Sequence, residues 1–217
     1  DHFSKAPALS DSIFLVLFCL MPYLDFNQFS HYAKFMSNLF LRHGEVQNIK
    51  NIQYGSLPGY FLSNNGFIQA KEIGKYIKKN LKVQKIISSP ILRARQTALT
   101  VNEHLDVNIT YSEELTEWPG ISSWHGLTIK EIKLTNEYKS YNEKSLNLMQ
   151  TNEPLEKVYE RVNKLFSKNK DTLFISHQDT IRAFTYFYQN DKDFSKNRPS
   201  HCELQIIEDK NILSVTV

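Results

Sequence analysis

Cysteine is scarce in this chain. Two residues in 217, Cys19 and Cys202, are too few for a disulfide framework and fit a reducing, cytoplasmic setting. No CxxC, HExxH, GxGxxG or glycine-rich loop ending in Lys-Ser/Thr occurs, so neither a structural zinc nor a nucleotide-cradling loop is indicated. No sign of charge dominates, with a net +3 at pH 7. The lysines behind it, such as Lys71, Lys75, Lys78, Lys79, Lys82 and Lys85, recur at near-helical spacing, the mark of a solvated helix face. No aromatic-interleaved basic motif accompanies them, so nucleic acid is not an expected partner. The apolar run Ile13 to Leu20 is closed by Pro22 and Asp25 well short of the ~20 residues of a spanning helix. The residues before it set Lys5 against Asp1 and Asp11, which is no basic leader, and a membrane partner is not expected either. Internal repeats and low-complexity linkers are absent.

What is present can bury a core: 41% of residues are hydrophobic and 12% aromatic, enough for one good domain. Met36 stands two residues before an apolar strand, and the expectation is a working domain over 36–217. Residues 1–35 are expected to be a non-core N-terminal extension, upstream of the functional start.

That strand, Leu39-Phe40-Leu41, stops abruptly at Arg42-His43-Gly44-Glu45. It reads as a buried strand carrying Arg42 and His43 to its C-terminal end, the edge at which open α/β sheets bind ligands. A long glycine-containing loop follows, Val46 to Tyr60, and long loops at such an edge are commonly functional. Ser63 then caps a helix over 64–80 with Phe67, Ala70, Ile73, Ile77 and Leu81 on one face. Val83 to Ser88 is the next strand, and Pro90 as first helical residue predicts a helix to about His104. Arg93 falls in its first turn, where the helix dipole disfavours a cation unless an anion is bound there. A strand over 106–112 leads to a carboxylate-rich loop, 113–126, and two helices are predicted over 127–141 and 154–168. The last of these presents Leu155, Val158, Val162 and Leu165 inward. Thr172 to Ser176 is a second buried strand that ends, like the first, in histidine, His177. A helix over 178–188 and a terminal hairpin, 203–208 and 211–217, complete the chain. This alternation argues an α/β fold, a three-layer α/β/α sandwich with a largely parallel central sheet.

Gathered at one sheet edge, Arg42, Arg93, His43 and His177 make a pocket of positive potential suited to phosphate, since arginine offers a planar fork matched to its oxygens. The segments Arg42-His43-Gly44-Glu45, Ser88-Ser89-Pro90-Ile91-Leu92-Arg93-Ala94-Arg95-Gln96-Thr97-Ala98 and Ser176-His177 with Ile181-Arg182 resemble the histidine phosphatase superfamily, which includes the cofactor-dependent phosphoglycerate mutases and many phosphomonoesterases. Leu62-Ser63-Asn64-Asn65-Gly66-Phe67-Ile68-Gln69-Ala70 is similar to the family's helix start after the first loop. The resemblance covers Met36 to the end, so 36–217 is expected to be a catalytic domain of phosphoglycerate mutase-like fold.

By that resemblance His43 is the nucleophile and Arg42, Arg93 and His177 hold the phosphoryl oxygens, with no metal and no cofactor required. It implies a carboxylic acid for the leaving group, Glu117, with Trp124-His125-Gly126 as the landmark after it. The spacing is one residue longer than the common pattern, so Glu114 competes. Asn48 corresponds to the family's phosphate-contacting asparagine, one residue early, and Gln178 stands where the family usually has glycine, its backbone facing phosphate. The loop Tyr54-Gly55-Ser56-Leu57-Pro58-Gly59 is expected to wall the substrate site. His125 reads as an exposed loop residue, with a substrate contact as the alternative, and His2, His31, His104 and His201 receive no role.

Hydrolase and mutase share the phosphohistidine step and differ in the phosphoryl acceptor. A mutase must exclude water, and family mutases carry a longer insertion after the proton donor. Here only about 35 residues separate Glu117 from Pro154, which favours a phosphomonoesterase acting on a small phosphorylated metabolite. A phosphoglycerate mutase is the alternative, and an inactive phosphate-binding module on the same fold is the second. The oligomeric state stays open, a dimer included.

Overall fold

The structure, a computed structural model, describes residues 37–142, 151, 153–191, 193–194 and 196–217, all within the compact unit Met36–Val217. The expected extension 1–35, Cys19 included, lies outside the described residues.

Six strands, β1 (Asn38–Arg42), β2 (Lys85–Ser88), β3 (Asn108–Tyr111), β4 (Thr172–Ser176), β5 (Leu204–Glu208) and β6 (Asn211–Val215), form one sheet in the order β3-β2-β4-β1-β5-β6. Strands β3, β2, β4 and β1 are mutually parallel, and the terminal hairpin continues the sheet, β5 antiparallel to β1 and β6 antiparallel to β5. The sheet is therefore mixed, parallel in its larger part. The helices are α1 (Asn64–Asn80), α2 (Leu92–Leu105), α3 (Ile129–Ile132), α4 (Asn136–Asn142), α5 (Leu155–Phe166) and α6 (Gln178–Tyr188).

Side chains along a strand alternate between faces, and each face here has its own core. Leu39, Leu41, Leu173 and Ile175 pack with Ala70 and Ile73 of α1 and Ala98 and Val101 of α2. Phe40 and Phe174 turn the other way, against Val158 and Val162 of α5 and Phe184 of α6. On that side Phe40 lies 4.8 Å from the ring of Phe184 and 5.2 Å from that of Phe174. Burial on both faces is why these strands read as continuous apolar runs, and it confirms the three layers.

The register sets the site. Arg42 is level with Ser176, and Ser88 with Ile175. Residues that follow the three strands, His43, Ser89 and His177, thus emerge at one edge.

Three local expectations are corrected. Helix α2 starts at Leu92 with Ile91 as its N-cap, two residues after Pro90; the Ser89 hydroxyl accepts the Ile91 N–H and keeps that turn out of the helix. The helix expected over 127–141 is two short ones, α3 and α4. A Thr128–Glu131 capping box starts the first, and the Thr135 hydroxyl ends it by donating to the Ile132 carbonyl while accepting from the Tyr138 N–H, a local competitor of the helical ladder. Phe67 of α1 is exposed, and Gly66 takes the inward position instead. A Cβ on Gly66 would lie 2.1 Å from the Glu45 carbonyl oxygen, and one on Gly44 2.6 Å from the Gly66 oxygen. The backbone after β1 and the first turn of α1 touch directly, which only glycine permits.

Candidate active site

His43 is buried, and its Nδ1 faces the Gly44 carbonyl oxygen at 2.8 Å. That contact is favourable only with the proton on Nδ1, which leaves a lone pair on Nε2. The other partner agrees: Arg93 Nε donates to His43 Nε2 at 3.1 Å. Burial, then the neighbouring His177, Arg93 and Arg42, hold the His43 pKa well below its ordinary value. The ring is neutral near pH 7. Behind it, the Gly44 N–H donates to the Thr97 hydroxyl, which donates in turn to the Arg93 carbonyl. The His43–Gly44 peptide and the first turn of α2 are thereby tied together.

Arg93 has 0% of its surface exposed. Burying a guanidinium costs several kcal/mol unless its donors are satisfied. Nη2 donates to the Gly55 carbonyl at 2.6 Å, and the guanidinium lies 4.9 Å from the centre of the Tyr54 ring. Its Nη1, the Nε of Arg42 and the Nδ1 of His177 are buried with no hydrogen-bond partner among the described residues. Three cradle side chains thus present unsatisfied nitrogens around His43, the pattern expected of a site for an oxyanion.

His177 is also buried, its ring 5.2 Å from that of His43. Its Nε2 lies 2.9 Å from the Ser89 hydroxyl oxygen. Burial first, then Arg93 and Arg42, lower its pKa well below the usual value. His177 caps α6 without a side-chain hydrogen bond, so the positive end of that helix's dipole joins the cluster.

Arg42 is held from the hairpin side. Its Nη1 donates to the Pro199 carbonyl at 2.9 Å and its Nη2 to His201 Nε2 at 3.0 Å. His201, whose ring is 5.6 Å from that of His43, has its pKa pushed down to about 4 by burial and by Arg42. It is a neutral acceptor. Sequence reasoning missed it because no motif marks it. The available signal is topological: β5 pairs antiparallel with β1, and so brings the residues just before β5 level with Arg42.

The two candidate acids separate cleanly. Glu114 sits over α5, its carboxylate 3.2 Å from Lys164. Glu117 lines the cavity beside the cluster. One of its oxygens accepts from the Trp118 N–H at 3.0 Å and from the Thr180 N–H and hydroxyl, each at 3.3 Å. Desolvation, followed by the charge of Asp179, raises its pKa to about 7 against the opposing pull of Arg93 and Arg42. Such an acid still carries its proton near neutrality.

The two expected phosphate contacts, Asn48 and Gln178, spend their side chains on backbone groups. Asn48 turns both ends of its amide onto Ile52, at 2.8 and 3.2 Å, and closes its own loop. Gln178 donates through its side chain to the Pro199 carbonyl at 3.1 Å and lines the cavity. Gly55 and His125 line it too, pressed together so closely that a Cβ on Gly55 would meet the His125 ring. Among the described residues no cluster of three or more His, Cys, Asp or Glu could hold a metal ion, and no helix is long and apolar enough to cross a membrane. Cys202, buried and unpaired, has its thiol pushed up to about 12 by burial.

The sequence pattern of the histidine phosphatase superfamily (branch 1) matches residues 39–211. The chain belongs to this superfamily. Among its relatives, the uncharacterized protein Rv0525 of Mycobacterium tuberculosis is 35% identical over 77 residues, 36% of this chain and 38% of that protein. The chain thus aligns with under two fifths of the length of this relative. Proteins of known structure share the fold at low identity. The phosphoserine phosphatase of Entamoeba histolytica, in complex with 3-phosphoglyceric acid, superposes with a TM-score of 0.69 at 21% identity, over 83% of this chain and 95% of that one. The mycobacterial glucosyl-3-phosphoglycerate phosphatase Rv2419c gives 0.67 at 19% identity, over 79% and 89%.

Proposed function

We propose that this superfamily member is a metal-independent phosphomonoester hydrolase working through a phosphohistidine, with residues 36–217 as the catalytic unit. One observation carries the reading. A neutral His43 presents its Nε2 lone pair inside a cradle of unsatisfied arginine and histidine nitrogens, and a carboxylic acid with a pKa of about 7, Glu117, stands beside it. The names of the two phosphatases of like fold agree with it.

The chemistry follows from those positions. The phosphoryl oxygens take the donors of Arg42, Arg93 and His177, and Arg93 Nε leaves the His43 lone pair for an oxygen. Nε2 then attacks phosphorus while the ester P–O bond breaks. Negative charge spreads over the oxygens where cations are already fixed, which lowers the barrier. Glu117 gives its proton to the departing alkoxide. In the second half the Glu117 carboxylate takes a proton from water, the oxygen attacks phosphorus, the P–N bond breaks and inorganic phosphate leaves. Acid and base are one group used twice.

The test is phosphate release from a panel of phosphomonoesters by the full chain in EDTA, beside His43→Ala. Turnover by the parent and its loss in the variant are expected, with 32P from a labelled ester trapped on His43 after acid-free quenching. Activity that requires 2,3-bisphosphoglycerate would assign a mutase instead, and turnover in His43→Ala would end the phosphohistidine route.

A further inference from the structure

Proton transfer fixes where the alcohol part of the substrate lies. The leaving oxygen must reach Glu117, so the carbon skeleton attached to it extends on the Glu117 side of the phosphate. A cavity of about 400 Å³ opens there, within the range of pockets that enclose whole organic ligands. Gly55 joins it to the phosphate cradle, since the carbonyl that accepts from Arg93 belongs to a residue of the cavity wall.

Trp118, Ile121, Trp124, Ile129, Ile132 and Tyr138 make up the apolar and aromatic part of its wall, which they share with polar side chains. Trp124 and Tyr138 stand 6.3 Å apart, ring to ring, and the Trp124 indole N–H is used by Thr135 at 3.1 Å. What these rings offer is surface for packing. The polar side of the cavity carries both signs of charge. Asp179 lies on it, paired with the neighbouring Arg182, which is bonded to Asp179 and to the Phe194 carbonyl, so the pair presents no net charge to a substrate carboxylate. Arg198 also lines the wall.

We infer that the preferred substrate is a phosphomonoester of an uncharged alcohol bearing a planar or apolar ring, seated against Trp124 and Tyr138 in the cavity beside Glu117. The inference rests on the phosphatase reading and narrows it. A small carboxylated ester, of the glycerate or serine type, would leave the rings uncovered.

The experiment compares kcat/KM for 2-phenylethyl phosphate, ethyl phosphate, 3-phosphoglycerate and phosphoserine, all with alkoxide leaving groups. Hydrolysis of p-nitrophenyl phosphate, which needs little help from an acid, reports whether the phosphoryl chemistry works at all. A ring preference of roughly tenfold or more is expected from aromatic packing alone. Trp124→Ala and, independently, Tyr138→Leu should shrink the ratio of the phenylethyl to the ethyl ester. Release from p-nitrophenyl phosphate with equal or better turnover of 3-phosphoglycerate or phosphoserine overturns the inference alone. An unchanged ratio in both folded variants does the same. No release from any ester, p-nitrophenyl phosphate included, refutes the phosphatase reading and this inference with it.

Discussion

With Glu117 as the proposed proton donor, its pKa of about 7 sets a limb in the pH profile. For an alkyl phosphate, kcat/KM should fall with unit slope above that pH: about a tenth of the acid keeps its proton at pH 8 and about a hundredth at pH 9. His43 adds no limb there, because its pKa is lowered and the ring is neutral throughout. The second ionisation of the alkyl ester, near 6, lies on the acid side of this limb. The assay is therefore a pair of profiles from pH 5.5 to 9.5, one for ethyl phosphate and one for p-nitrophenyl phosphate. The alkyl profile should carry the limb and the aryl profile should lack it. In Glu117→Gln the alkyl ester should lose roughly 10²- to 10⁴-fold, and its limb should vanish. Two profiles of the same shape, or a limb that survives the substitution, would refute the assignment. Stability supplies a second readout. A carboxyl whose folded pKa is raised is destabilising wherever the unfolded chain would ionise it, so the cost grows from pH 4.5 to about 7 and is constant above. Discounted for the solvent that reaches the cavity wall, removing it is worth on the order of 2 kcal/mol. Glu117→Gln should be more stable than the parent by about that much at pH 8, with the gain shrinking toward pH 5.

Gly66→Ala drives a methyl to 2.1 Å from the Glu45 carbonyl oxygen, backbone against backbone, and should cost about 3 kcal/mol in urea unfolding. Thr97→Val leaves the buried Gly44 N–H without its acceptor, a loss of about 1–3 kcal/mol that Thr97→Ser should largely restore. His201→Ala frees the Arg42 Nη2 donor and should lower kcat/KM roughly ten- to hundredfold with little change in melting temperature, while His201→Asn should recover part of kcat. The lowered pKa values of His43, His177 and His201 mean that the unfolded chain takes up protons the native one refuses. Stability should thus decline as pH drops below about 6.5, and acid titration of the melting temperature checks it.

The fold and the phosphate cradle were legible in the sequence because both are written at element ends. Runs buried on two faces stop at Arg42-His43 and at Ser176-His177, and a parallel sheet puts such stops on one edge. Arg93 was legible because a cation in a first turn is out of place without an anion. The inward face of α1 was misjudged at Phe67, since the side chain that periodicity aims at the core gives way to a backbone contact between Gly66 and Glu45 that no pattern announces. The break between α3 and α4 depends on one hydroxyl, Thr135, choosing the Ile132 carbonyl. His201 reaches Arg42 across 159 positions of chain, and only the pairing of β5 with β1 makes them neighbours.

On the proposed function these differences follow two halves of the site, one for the phosphate and one for the alcohol. The phosphate half stands on the ends of β1, β4, α2 and α6, whose side chains are locked between two cores, and its geometry is inherited with the sheet. The alcohol half is formed largely by 117–138, a 3₁₀ turn and short helices joined by capping bonds such as Thr128–Glu131. Apart from Trp118, which packs into the core with Phe40 and Phe174, its residues can change without disturbing a strand. Substitutions in 117–138 other than Glu117 and Trp118 should therefore redistribute turnover among esters, while those at the strand ends should remove it for all of them. On that reading a common cradle would transfer the phosphoryl group while a loosely coupled wall would decide which alcohol departs, so that one fold could serve many phosphatases.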